Sequence, residues 1–228
     1  MGGEARQRWD DRVAWNDIPD WTMAAARGIL QAVATKDVET AAHCIRVGRG
    51  ARLLAQASGL DEYAQKVCEF AGVFHDIGKV AVPDAILFKP GKLTDEEFEV
   101  MKRHPAESAE MLRPLIGDSA FMRDLIPGVL HHHERFDGRG YPDGVAGEDI
   151  PLESRIILIA DTFDAMTATR AYRKGLPAEA AYSEFKLHAG RQFDARLVKI
   201  FLEAQPRWEV DARRVALEFD AVVLSAAA

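Results

Sequence analysis

Val73-Phe74-His75-Asp76-Ile77-Gly78-Lys79 sets two metal-binding side chains next to each other in an apolar context, with a cation one helical turn further on. Apolar helices seldom bury an adjacent His and Asp without partners, because desolvating a charge is costly. A metal ion would satisfy both side chains. A hydrogen-bonded structural His-Asp pair would do so too, and the dipeptide alone does not separate the two. The run closes a pattern that starts at Asp61, which predicts a helix from Asp61 to about Gly78 carrying His75, Asp76 and Lys79.

Outward from this run the pattern stays helical. Met23-Ala24-Ala25-Ala26 and Ile29-Leu30 supply helix formers and apolar faces, so a helix is expected from about Trp21. The next runs from Val38 to about Ala57 and stops at Ser58-Gly59. Thr94 with Glu97 reads as a capping box for a helix leading towards His104. Phe136 to Pro151, rich in Gly, Pro and Asp, reads as an irregular loop. Helices follow over about Leu152–Arg170, after Pro177, and over Asp194–Ala204. No strand pattern supports a sheet. The fold class expected is all-α, a helical bundle whose ligands project inward from several helices. The domain expected over residues 21–205 is preceded by an N-terminal extension, 1–20, with Trp9, Trp15 and Trp21 six apart. A C-terminal extension, 206–228, carries Val215, Leu217 and Phe219 in an alternation too short to classify.

Further metal-type residues are spread along the chain. Glu39 and His43 are four apart, so on a helix they share a face and can converge on one ion. His104 stands in MKRHPAE, His132 and His133 in HHHERFDGRGYP, and Asp161 in RIILIADTFDAMTATR. Taken singly, each histidine reads equally as a core or surface residue, and Asp161 as a cap. Asp164 is three residues from Asp161 on the same face and can orient a ligand.

Taken in order, ETAAHCIRV, FHDIGKVAVPDAILFKPGKLT, MKRHPAESAEML, HHERFDGRGYPDGVAGEDIPLESRIILIADTFDAMTATRAYRK and RQFDARLV resemble the HD-GYP domain, a subgroup of the HD phosphohydrolases that hydrolyse cyclic di-GMP. The resemblance covers roughly Lys36 to Phe201. It implies an HD helical bundle with an irregular GYP loop and a metal-dependent phosphodiesterase of bacterial second-messenger signalling. Such an enzyme converts cyclic di-GMP to linear pGpG, with GMP as the alternative final product, through a metal-bound hydroxide. The implied metal ligands are Glu39, His43, His75, Asp76, His104, His132, His133 and Asp161, with Asp76 as the bridge between metals. Two or three divalent metals are implied, iron first and manganese as the alternative; ligands without thiolate suit both. Lys79 and Asp76 take the catalytic roles, Lys79 on a phosphate oxygen. Lys79, Tyr141, Arg170 and Arg173 are the implied substrate contacts, Tyr141 by stacking or hydrogen bonding. The common pattern has Gly at Ser108, Trp at Phe136, Pro at Ala171 and Ala195, and often Lys at Arg173; none of these departures removes a ligand. A different class of function, a catalytically weak module that binds a cyclic dinucleotide or docks a protein partner in signalling, would not need the intact ligand set.

Composition sets the outer bounds. The 228 residues fit one domain with short appendages. A net charge of −7 and pI near 5.5 argue against binding long nucleic acid, while leaving room for a small dianionic nucleotide. No apolar stretch is long enough for a bilayer, and MGGEARQRWDDR lacks an apolar signal core, so a cytoplasmic protein is expected. Cys44 and Cys68 show no zinc-knuckle or disulfide spacing.

Overall fold

The structure, a computed structural model, describes residues 18–169 and 174–208. Helix α1 spans Thr22–Lys36, α2 Val38–Ala57 and α3 Glu62–Phe74, and a 3-10 turn covers Ile77–Ala81. Three short helices follow: α4 (Asp84–Leu87), α5 (Asp95–Met101) and α6 (His104–Leu112). Then come α7 (Ala120–Leu130), α8 (Leu152–Thr167), α9 (Ala178–His188) and α10 (Ala195–Ala204). Among the described residues there is no strand, only an isolated bridge between Ala189 and Phe193. The all-α expectation holds. No described helix is long and apolar enough to cross a membrane.

Side-chain caps start several helices. Asp37 accepts from the Glu39 N–H, Asp61 from the Ala64 N–H, and Asp194 from the Arg196 and Leu197 N–H groups. Thr94 and Glu97 form both halves of the expected capping box. Helix α2 lies at the centre, packed on α1, α3, α8 and α10. Two glycines let α2 and α3 meet at the backbone. A Cβ on Gly48 would stand 2.6 Å from Val73 Cγ2, and one on Gly72 would stand 2.8 Å from Gly48 Cα. That approach brings the rings of His43 and His75 to 5.2 Å.

Three boundaries differ from the sequence reading. Helix α3 ends at Phe74, not near Gly78, and His75-Asp76 form the joint with the 3-10 turn. The reason is tertiary: Gly78 packs so tightly on α6 that a Cβ there would be 2.3 Å from the His104 carbonyl, and its N–H donates to Ser108 Oγ at 2.7 Å. His104 does not continue the capped helix α5; it opens α6, where Pro105 sits in the first turn and needs no N–H partner. The body also runs past residue 205, because Gln205–Arg207 form a 3-10 turn and the Trp208 ring packs 5.2 Å from that of Phe201. Trp9 and Trp15, and the alternation at Val215, Leu217 and Phe219, lie outside the described residues.

Candidate metal centre

Five elements deliver the side chains: α2 brings His43, the α3 joint His75 and Asp76, α6 His104, the end of α7 His132 and His133, and α8 Asp161. Three of the histidines share one anchoring device. His75, His104 and His132 each put Nδ1 against a carbonyl three residues earlier: Gly72 at 2.6 Å, Met101 at 2.8 Å and Val129 at 2.7 Å. A carbonyl only accepts, so each Nδ1 carries a proton, and in the neutral ring each Nε2 then offers a lone pair. Asp76, His104, His132 and His133 offer ligand atoms that lie within 4.8 Å of one another, and so do His43, His75 and Asp76. Asp76 belongs to both groups, the place of a bridging carboxylate.

The donors fit divalent metals. His75 Nε2 and Asp76 Oδ1 are buried and make no hydrogen bond. His104 Nε2 faces His132 Nε2 at 3.3 Å, an approach of two lone pairs once both Nδ1 atoms hold the protons. Buried polar atoms are nearly always satisfied, and a cation at either group would satisfy these. The imidazoles are ready for it. Burial, with the neighbouring histidines, pushes His132 well below its usual range, and burial beside His104 pushes His133 down to about 3. Burial also lowers His75. Burial opposes ionisation of Asp76, but the Lys79 ammonium, with the His75 and His104 rings beside the carboxyl, outweighs it and holds the carboxyl well below its normal range.

His43 differs from the others. Its Nδ1 lies 2.7 Å from Asp164 Oδ2 and its Nε2 3.0 Å from Asp161 Oδ1, so carboxylates face both nitrogens. Burial disfavours its charge, yet the two carboxylates win and raise it to about 9. Asp161 is held low by the same His43 against its own burial. Arg46 grips Asp164 through Nε at 2.6 Å and Nη2 at 3.0 Å, which fixes the carboxylate that orients His43, the part expected of Asp164.

Lys79 reaches the site by 3-10 geometry. Side chains three apart eclipse in a 3-10 turn, and Lys79 Nζ stands 2.5 Å from Asp76 Oδ2. Burial alone would lower the ammonium, but Asp76 raises it, so it stays charged. Tyr141 sits on the loop after α7, with a cis bond to Pro142. Its ring stacks on His133 at 4.7 Å and 28°, which leaves the hydroxyl as the more direct route to a ligand. Its hydroxyl is kept protonated by burial and by Asp76.

The structure therefore brings together His43, His75, Asp76, His104, His132, His133, Asp161, Lys79 and Tyr141. Glu39 is exposed on the first turn of α2, outside both donor groups. Arg170 and Arg173 lie outside the described residues. Cys44 and Cys68 are buried and join neither group, and burial together with Asp76 pushes the Cys44 thiol well up. Three contributors escaped the sequence reading. Ser108, buried, accepts from the Gly78 N–H and donates to the His75 carbonyl at 2.8 Å. His131 does not join the donors; its Nε2 holds Asp143 at 2.9 Å. Glu134 takes the N–H groups of Asp143 and Gly144 at 2.7 and 2.9 Å. A signal existed for Glu134: a carboxylate directly after two donor histidines needs donors of its own once buried.

The chain is similar to known proteins in sequence and fold. The family model described as HD domain matches residues 27–197. The chain is 39% identical over 194 residues to the cyclic di-GMP phosphodiesterase response regulator RpfG of Xanthomonas campestris, covering 85% of this chain and 51% of that protein. It is 36% identical over 187 residues to a 3'3'-cGAMP-specific phosphodiesterase of Vibrio cholerae, covering 82% of this chain and 35% of that one. The crystal structure of a cyclic GMP-AMP phosphodiesterase from V. cholerae superposes with a TM-score of 0.60 at 19% identity over 88% of this chain and 52% of that one, a likeness of fold. The chain spans about half the length, or less, of the curated relatives it matches.

Proposed function

The chain belongs to the HD-GYP family of HD domains, and from that membership we propose that it hydrolyses cyclic di-GMP to linear pGpG, with GMP as the alternative final product. The observation that carries the reading is Asp76, a buried carboxylate common to two groups of imidazole donors, with its own Oδ1 and His75 Nε2 left without hydrogen bonds. Divalent cations there supply the Lewis acidity and the acidification of water that phosphodiester hydrolysis needs. We assign iron as the metal on the family resemblance alone, with manganese as the alternative; imidazole and carboxylate without thiolate suit both. A third cation would draw on Glu39 turning inward beside His43.

The chain's own residues do the rest. Asp76 stays ionised. His75, His104, His132 and His133 turn ring nitrogens into the site, three of them locked by backbone carbonyls on Nδ1. Lys79, partly exposed and charged, is proposed to bind a non-bridging phosphate oxygen as the water oxygen bonds to phosphorus and the bond to the ribose 3'-oxygen breaks. The Tyr141 hydroxyl, Arg170 and Arg173 are proposed to hold the nucleotide. A cytoplasmic location is proposed with this reading; no described helix is long and apolar enough to cross a membrane. The test is direct: protein purified without oxygen, assayed for metal, is incubated with cyclic di-GMP and in parallel with 3'3'-cGAMP, and the products are separated by chromatography. Linear pGpG from the first substrate, at the greater rate, is expected. Intact cyclic di-GMP in the presence of metal-loaded protein would reject the assignment, and faster cleavage of 3'3'-cGAMP would reassign the substrate.

A further inference from the structure

His133 is the odd member of the donor set. His75, His104 and His132 have Nδ1 tied to a carbonyl, and His43 has Nδ1 tied to Asp164. Among the described residues the His133 ring makes no hydrogen bond of that kind. A metal-ligating imidazole is normally oriented by a partner on its other nitrogen, so something else must fix this ring. Two donor rings flank it, His132 at 4.2 Å and His104 edge-on at 5.0 Å, and the ring that lies against it from outside the donor set is Tyr141, stacked at 4.7 Å and 28°.

The loop between them is built to press that tyrosine down. The Tyr141 N–H returns to the His133 carbonyl at 3.3 Å, closing the loop on its own start. Glu134, 1% exposed, takes the Asp143 and Gly144 N–H groups with one oxygen. Gly140 lies so flat on the loop's base that a Cβ would stand 2.4 Å from Glu134 Cα and 2.5 Å from the His133 carbonyl, so no side chain fits there. From outside, Phe98 meets Tyr141 edge-on at 6.3 Å, and Lys102 Nζ lies 6.0 Å from its ring centre.

We propose that Tyr141 is a positioning residue for the metal centre: its ring, clamped by the Glu134-closed loop, replaces the missing hydrogen bond and fixes His133 for ligation. The inference rests on the reading of His133 as a metal donor, and it needs no nucleotide to be bound. It gives the loop a task before substrate arrives, and the tyrosine hydroxyl remains free for the nucleotide.

The test reads metal binding alone. Protein stripped with chelator is titrated with Mn2+ by calorimetry in the absence of nucleotide, with circular dichroism to check the fold. Tyr141→Leu keeps apolar bulk and removes the ring; affinity is expected to fall about tenfold, the lower end for losing a residue that orients a ligand. Tyr141→Phe keeps the ring and loses the hydroxyl, and is expected to bind Mn2+ as wild type does. His133→Ala is expected to lose at least as much as Tyr141→Leu. Wild-type affinity in Tyr141→Leu beside a weakened His133→Ala overturns the inference. Equal loss in the Phe and Leu variants overturns it as well, because the hydroxyl and not the stack would then matter. Wild-type affinity in His133→Ala overturns instead the assignment of His133 as a donor. Tyr141→Met replaces the leucine variant if that one misfolds, with the same expectations.

Discussion

Asp76 and Lys79 sit on one turn yet should fail in different ways. Asp76 is 1% exposed, with Lys79 at 2.5 Å, His104 at 3.1 Å, His75 at 3.4 Å and His43 at 3.6 Å. Asp76→Ala takes a shared oxygen donor from both groups and strands the Lys79 ammonium beside them. Metal content and hydrolysis should both collapse, and stability should fall by less than the cost of breaking a fully buried pair, about 3–5 kcal/mol, because the Lys79 ammonium is partly exposed. Elemental analysis and a thermal melt read the two effects, and a variant that keeps its metals and its rate would remove Asp76 from the mechanism. Lys79→Met retains the apolar stem and should leave the metal count alone. Its turnover should drop about 100-fold or more, the scale of losing one preorganised charge stabiliser. Unchanged turnover would free Lys79 of any role on phosphate. Glu39 presents the opposite geometry, exposed one turn before His43. If it turns inward to complete a third site, metal-replete protein carries more than two metals per chain, and Glu39→Ala loses one of them while the pair at Asp76 stays loaded. A wild-type count that stops at two under saturating metal would leave Glu39 as a solvated helix residue.

At the scale of elements, the joint after α3 is the feature to perturb. Ser108, on α6, accepts from the Gly78 N–H and donates to the His75 carbonyl, both in full burial. It thereby pins the 3-10 turn that eclipses Lys79 over Asp76. Ser108→Ala leaves a buried N–H and a carbonyl without their partner, each worth about 1–3 kcal/mol. A lower melting temperature with a modest loss of turnover is expected, and an unchanged melt would show that the turn holds itself. The same joint shows what the sequence could and could not convey. Helix starts were legible where one side chain sets them: Thr94 with Glu97 gave its box, and α2 ran over its expected span. The end of α3 was not, because nothing local stops a helix at Phe74; the stop comes from Gly78 meeting α6, thirty residues away. Helix α7 was missed as well, with Pro127 inside it arguing against a helix on local grounds. The donor residues could be named from order and spacing, since ligation demands particular side chains. Their supports act through partners a spacing pattern does not record: Ser108 and Glu134 through backbone groups of distant residues, and His131 through the Asp143 carboxylate.

For the whole molecule, the buried charges make metal, protons and stability one coupled system. In the metal-free protein His43 is raised from 6.5 to about 9 by Asp161 and Asp164 against its burial. A raised histidine contributes stability that is complete below its unfolded pKa and is lost as pH climbs through the folded one. Between those two values the folded state holds more protons than the unfolded, so the unfolding free energy must fall with rising pH. Metal-free protein is therefore predicted to lose stability from about pH 6.5 to about 9, by an amount on the order of a few kcal/mol. Loading reverses the situation, because a cation takes neutral imidazole and the proton on Nε2 has to leave. His75, His132 and His133 are lowered and Asp76 and Asp161 are held ionised, so His43 is the group among these that must give up a proton near neutral pH. Calorimetric Mn2+ loading in two buffers of different ionisation enthalpy should report that release, and the loaded protein's melting temperature should stay flat across the window in which the stripped protein's declines. Matching slopes for stripped and loaded protein, with no proton released, would place His43 outside the metal centre and leave it a structural ion pair between α2 and α8.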